Sequence, residues 1–235
     1  MGVRTAGAGA PLNVDLGALT WPEVAALAPL VLVPVGSCEQ HGPHLPLDTD
    51  TRIATAVAEG AAPLLGDAVV APALAIGASG EHARFPGTLS IGQDALTTLV
   101  VELGRSADAF AGVVLVNGHG GNGVALGRAV ERLVYEGRRV LLWHAHVPGG
   151  DAHAGRTETS LLLAITPSVV RLERAAAGAT GPIDALLPAL RAGGVAAVSA
   201  NGVLGDPAGA SAGEGEALLA GLVERLVGAV TAWRA

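Results

Sequence analysis

The chain has 235 residues, 50% of them apolar and 3% aromatic, with 14 basic and 21 acidic residues and a formal charge of −7. That length suits a single domain over residues 1–235, able to bury roughly 70% of its unfolded surface in a core of Ala, Val and Leu. Every basic residue is Arg and no basic patch is visible, which argues against a nucleic-acid partner.

The single cysteine excludes an intrachain disulfide and fits a reducing compartment. No apolar run reaches the ~20 residues of a membrane span, and no basic stretch leading into a long apolar one marks a signal peptide. A soluble cytoplasmic protein without membrane contact is expected.

Residues 1–12 are rich in Gly and Ala without periodicity and are expected to be poorly ordered. Thr20-Trp21-Pro22-Glu23 predicts a helix start: Thr20 caps, Pro22 suits the first turn, and Glu23 meets the positive end of the dipole. Val31–Val35 reads as a strand apolar on both faces, ending or bulging at Pro34. A helix is expected from Thr51 to Ala62, stopped by Pro63.

Ala68–Pro72 predicts a short strand leading into a long loop, Ala75 to Gly92, which holds Ser79, Glu81 and His82. A helix over Gln93–Phe110, a buried strand over Gly112–Val116, a helix over Val124–Tyr135 and a strand over Arg139–Trp143 follow. Farther on, Ile183–Leu190 and Glu214–Trp233 read as helices separated by a Gly-rich loop. Strands alternating with helices predict an α/β layered fold, a mainly parallel sheet flanked by helices. In such sheets ligands sit beyond the carboxyl ends of the strands.

The chemistry concentrates at those ends. Residues 36–50 run Gly-Ser-Cys-Glu-Gln-His-Gly-Pro-His-Leu-Pro-Leu-Asp-Thr-Asp, offering Glu39, His41, His44, Asp48 and Asp50. Imidazole mixed with carboxylate is the ligand set of zinc, iron and manganese sites. Glu39 and His41, two apart, point to one side of an extended backbone. Spacing leaves Asp48 and Asp50 as alternatives, and an ordinary helix cap would explain Asp50.

His119 lies in the Gly-rich turn Asn117–Asn122, which lacks the Lys-Ser/Thr ending of a phosphate loop. His144 and His146 close the last strand. Glu158 heads an apolar helical run, where a bland role at the dipole is also open, and His153 precedes it. All 7 histidines fall between positions 41 and 153, which favours a functional cluster over scattered structural residues. Cys38 is read as a small packed residue rather than a nucleophile.

Together, residues 36–50, Glu81-His82 with Phe85-Pro86-Gly87-Thr88, Asn117–Asn122 and the segment His153–Ser160 resemble the creatininase family of metal-dependent amidohydrolases. Residues 47–58, 193–199 and 202–207 are most similar to the branch of peptidases in the mycofactocin system. The resemblance implies a pair of divalent metal ions (zinc, iron or manganese) bridged by Asp50, with Glu39 and His119 on one ion and His41 and a second glutamate on the other. Creatinine-cleaving members place that glutamate two residues after the histidine matching His119, where this chain has Gly121. Glu158 is the candidate replacement.

A water shared by two such cations is acidified toward hydroxide and becomes the nucleophile. His153 is expected to protonate the departing amine, and Ser79, Glu81 and His82 to line the substrate pocket. The substrate that the resemblance implies is the modified mycofactocin precursor peptide, losing a C-terminal Val-Tyr unit. It also implies a homo-oligomer, in the family often a hexamer. The alternatives are a family amidohydrolase acting on a small cyclic amide or formamide, and a non-catalytic binding protein.

Overall fold

A computed structural model describes residues 14–235; the expectation for residues 1–12 lies outside the described residues. Four strands, β1 (Leu30–Val35), β2 (Ala68–Val70), β3 (Gly112–Asn117) and β4 (Val140–His144), form one parallel sheet in the order β2-β1-β3-β4. Among the described residues seven α-helices accompany them: α1 (Trp21–Leu27), α2 (Thr49–Leu65), α3 (Gln93–Ser106), α4 (Gly123–Tyr135), α5 (Arg156–Ile165), α6 (Ile183–Gly193) and α7 (Ala212–Arg234). The expected layered α/β architecture is the one observed.

The period-2 geometry of a strand divides each apolar run between two cores. Leu30 and Leu32 of β1, with Val114 and Val116 of β3, face α2, α5 and α7. Val31, Val33 and Val35, with Val113 and Leu115, face α3 and α4. Each such side chain taken fully out of water contributes about 1.5–3 kcal/mol, so covering both faces favours runs without polar alternation.

Local chemistry explains the element ends. The Glu23 carboxylate accepts from the Thr20 N–H at 2.7 Å, closing the start of α1. Pro34 does not end β1, as expected from sequence; it pairs in register with Val116. Its carbonyl accepts from Leu74 on the β2 side, where β2 has already stopped at Val70, so the missing N–H interrupts no strand ladder. Nor does Pro63 stop α2. The helix runs one turn further to Leu65 and closes at Gly66, whose φ of 78° needs no Cβ penalty.

From β1 the chain crosses one face by α2 to β2, then returns by α3 on the other face to β3. The loops after β1 and β3 therefore diverge to opposite faces between adjacent strands, opening a crevice at their carboxyl ends. α5 reaches this crevice because α7 fixes its start. A Cβ on Gly215 would stand 1.9 Å from the Ser160 carbonyl oxygen, so only glycine permits the approach. Glu214 then accepts from Ser160 Oγ at 2.8 Å and from Arg156 Nε at 2.8 Å.

Candidate metal centre

The crevice collects side chains from three loops. Glu39 and His41, both fully buried, follow β1, and Asp50 stands in the first turn of α2. His119 follows β3, and Glu158 occupies the first turn of α5. His41 Nε2 lies 3.1 Å from Asp50 Oδ1 and 3.8 Å from Glu158 Oε2. His119 Nε2 lies 3.1 Å from Glu39 Oε2, and its Nδ1 lies 3.3 Å from Asp50 Oδ2.

Two triplets result, Glu39/Asp50/His119 and His41/Asp50/Glu158, each with donor atoms within 4.8 Å of one another. They share Asp50. The sequence alternatives separate accordingly: Asp48 turns outward to Arg52 Nε at 2.7 Å, while Asp50 is buried and takes a 2.7 Å hydrogen bond from Ser37 Oγ. Asn122 ties the loops together, donating to the Gly36 carbonyl at 3.0 Å and accepting from Ala78 N–H at 2.8 Å.

Electrostatics distinguish this cluster from a structural polar core. No arginine pairs with Glu39, Asp50 or Glu158 among the described residues. Burial would raise Asp50, but the His41 and His119 rings overcome it and hold the carboxyl well below its ordinary value. Burial, followed by the charge of Asp50, pushes Glu39 and Glu158 up to about 7. Burial disfavours a charged His41, yet Asp50, Glu158 and Glu39 raise it to about 10, and His119 is likewise raised by Asp50, Glu81 and Glu39. The carboxylates thus draw positive charge into a buried space.

That space fits metal ions. Both Glu39 oxygens and His119 Nε2 are buried without a hydrogen-bond partner, although they face each other at 3.1 Å. Buried polar atoms without partners are uncommon, and a cation they could ligate accounts for both the crowding and the absent alignment. His41 is oriented for the same purpose. Its Nδ1 lies 3.1 Å from the Glu39 carbonyl, to which it donates in the neutral tautomer, leaving the Nε2 lone pair toward Asp50 and Glu158.

The remaining sequence candidates surround this cluster. His153 is buried, with Nε2 at 2.8 Å from the Gln40 carbonyl and Nδ1 at 3.8 Å from Glu39 Oε1. It also belongs to a third donor triplet, Glu39/His41/His153. Burial, then the His41 and His82 rings, hold its pKa well below the ordinary value. His82 Nε2 lies 3.2 Å from Glu39 Oε1, and burial first of all lowers its pKa to about 4. Glu81, its side chain 33% exposed, places Oε1 3.3 Å from His119 Nε2. Ser79 is fully buried, whereas Glu81 and His82 line the adjoining cavity.

β4 does not deliver donors as its position suggested. It is an edge strand whose His144 Nδ1 takes up the Asn117 side chain at 3.0 Å, outside the donor triplets. His44 likewise serves structure, with Nε2 at 2.9 Å from Thr159 Oγ1. One residue escaped sequence reasoning altogether. The Gln40 amide donates to the Gly202 carbonyl at 3.0 Å, approaches His82 Nδ1 at 2.9 Å, and accepts from Gly42 N–H at 2.9 Å. A glutamine neither titrates nor commonly ligates metal, so only its position inside the motif could have marked it.

Known proteins share much of this sequence and fold. The chain is 52% identical over 233 residues to the mycofactocin precursor peptide peptidase of Mycobacterium tuberculosis (strain CDC 1551 / Oshkosh), covering 95% of this chain and 93% of that protein. A manganese form of creatininase superposes with a TM-score of 0.76 at 30% identity, covering 92% of this chain and 97% of that one. A zinc–zinc form of a creatininase mutant gives the same TM-score and identity, covering 92% and 96%. The family model described as creatininase, creatinine amidohydrolase, matches residues 17–230. The chain belongs to the creatininase family.

Proposed function

We propose that this protein is a metal-dependent peptidase that removes a C-terminal Val-Tyr dipeptide from the modified mycofactocin precursor peptide. The observation that carries the reading is the pair of donor triplets meeting at Asp50, in a chain 52% identical to a peptidase of that name. Glu39, Asp50 and His119 would hold one divalent ion, and His41, Asp50 and Glu158 a second; zinc, iron and manganese all suit this set. When bound, such ions acidify water and polarise a carbonyl at neutral pH.

The protein's own groups set the geometry. Ser37 holds Asp50, the Glu39 carbonyl orients His41, and His82 stands against Glu39. His153, neutral in its buried setting, presents Nδ1 to the centre while Nε2–H rests on the Gln40 carbonyl. Nδ1 can therefore take up a proton and pass it to the departing amine. Glu81 and His82 face substrate from the cavity wall, and Ser79 lies buried at the start of the same turn.

The cavity measures about 1060 Å³, far more than a small cyclic amide fills, which favours the peptide over that alternative. The chain acts as one hydrolase domain in the reducing cytoplasm. Trp21 and Tyr135, 81% and 85% exposed, suit burial between copies of a homo-oligomer such as a hexamer.

The test is direct. Metal-loaded protein incubated with the modified precursor peptide should release Val-Tyr, read by mass spectrometry, and a chelator should stop it until metal is restored. Release of nothing with zinc, iron or manganese would remove the peptidase reading. Turnover of a cyclic amide with the peptide left intact would replace it.

A further inference from the structure

Two imidazoles stand against one carboxylate oxygen. His82 Nε2 lies 3.2 Å from Glu39 Oε1, and His153 Nδ1 lies 3.8 Å from the same atom. Both rings are buried, so in each neutral ring the bond made by one nitrogen decides what the other presents. For both rings that bond is made to Gln40. Its side-chain Nε2 lies 2.9 Å from His82 Nδ1, and its carbonyl oxygen lies 2.8 Å from His153 Nε2.

Backbone groups fix which way the Gln40 amide points. Gly42 N–H donates to its Oε1 at 2.9 Å, and the Gly202 carbonyl accepts from its Nε2 at 3.0 Å. An N–H only donates and a carbonyl only accepts, so one orientation is allowed. Gly202 has a φ of 82°, and a Cβ there would stand 1.9 Å from Gln40 Oε1, so the amide occupies room that only glycine leaves open.

The amide nitrogen carries two hydrogens. One goes to the Gly202 carbonyl and the other to His82 Nδ1, which puts the His82 proton on Nε2, toward Glu39. None remains for His153 Nε2, 3.0 Å from the amide nitrogen, so that atom carries its own hydrogen and donates it to the Gln40 carbonyl. The His153 Nδ1 lone pair then faces the centre. The distances agree, since the ring presenting N–H stands closer to Glu39 than the ring presenting a lone pair.

We propose that Gln40 is a positioning residue that gives these two imidazoles opposite roles. Its side chain occupies the one lone pair of His82, so that ring faces Glu39 with N–H and offers nothing to a metal ion. Its main chain holds His153 with Nδ1 open for proton transfer. The proposal rests on the peptidase reading for the reaction served, and it adds the residue that keeps the two rings distinct.

The experiment uses zinc-loaded full-length protein with its histidines labelled with heavy nitrogen, read by long-range proton–nitrogen NMR without substrate. His82→Gln and His153→Gln assign the two rings. Wild type should show the Nε2–H tautomer in both, with His82 Nδ1 at the shift of a hydrogen-bonded acceptor and His153 Nδ1 at that of a free one. Gln40→Met keeps the main-chain carbonyl but has no side-chain N–H. It should move His82 Nδ1 to the free-acceptor shift and leave His153 unmoved. Its kcat on the modified precursor peptide should fall about 10–100-fold, with zinc content and KM held.

The wild-type spectrum decides the tautomers without Gln40→Met: an Nδ1–H form of either ring overturns the assignment. A His82 Nδ1 shift unmoved in Gln40→Met overturns the role of the side chain. Wild-type kcat with His82 released overturns the link to the reaction. Both rings moving together, with zinc lost, gives Gln40 a packing role and overturns the proposal. Wild type of verified zinc content that cleaves no peptide overturns the peptidase reading, and the tautomer assignment then stands on its spectrum.

Discussion

Glu81 and Gly121 contend for one space: a Cβ on Gly121 would stand 2.2 Å from Glu81 Oε1. It would also stand 2.3 Å from His119 Nε2 and 2.8 Å from the Ala78 carbonyl. The creatinine-cleaving pattern puts a glutamate at this position. Here a carboxylate from the 80–82 turn enters the volume that such a side chain would cross, and it ends 3.3 Å from the His119 ring.

Gly121→Ala follows from that geometry. The new methyl must displace His119, Glu81 or the backbone at Ala78, and overpacking of this kind costs about 1–3 kcal/mol. The variant should melt earlier than wild type and retain less metal after dialysis, both read on the same preparation. Wild-type metal content and melting temperature would show that the loops yield without cost.

The two triplets separate the carboxylates experimentally. Asp50→Asn removes the shared donor and should lose both ions. Glu158→Gln should lose only the ion on His41, since the nearest ring nitrogen to Glu158 is His41 Nε2 at 3.8 Å. Metal per chain by plasma mass spectrometry decides it. Full occupancy in Glu158→Gln would leave the carboxylate as a partner of the Ala154 N–H, at 2.6 Å, and nothing more.

His153→Ala should keep its metal and lose turnover by roughly 10²–10⁴-fold, the range of a positioned proton-transfer group. The triplet Glu39/His41/His153 makes the opposite result informative. Loss of metal with loss of activity would assign His153 to coordination and remove its proton-transfer role.

Asp151 supplies a pH signature outside the metal centre. Burial raises its pKa, but N–H bonds from Arg156 at 2.8 Å and Asp206 at 3.2 Å, with the Thr157 hydroxyl at 3.0 Å, lower it overall. A depressed folded pKa stabilises above the unfolded value of about 3.9 and ceases to do so as pH falls through the folded value. The gap in melting temperature between wild type and Asp151→Asn should therefore be full near neutrality and close below about pH 4. A gap independent of pH would mean that Asp151 acts through shape alone.

Much of the fold was legible because apolar runs buried on both faces leave little choice of conformation. Val31–Val35 and Gly112–Val116 could only be covered strands, and both are. A proline's missing N–H matters in a strand only where a partner stands opposite, and at Pro34 that depends on where a neighbouring strand stops. Gln40 was not legible because its amide meets His82 and its carbonyl meets His153, in segments remote in sequence.

The sequence by itself determined the layered α/β class, the donor types and the segments bearing them, since these follow from local periodicity and side-chain chemistry. Tertiary structure alone decided that Asp50 rather than Asp48 faces Glu39 and His119, that the β4 histidines stay outside, and that Glu81 fills the room beside Gly121. Those outcomes depend on β1 lying beside β3 and on α7 drawing α5 to the crevice. Such long-range contacts place atoms within a few ångströms of one another, and no local pattern along the chain encodes them.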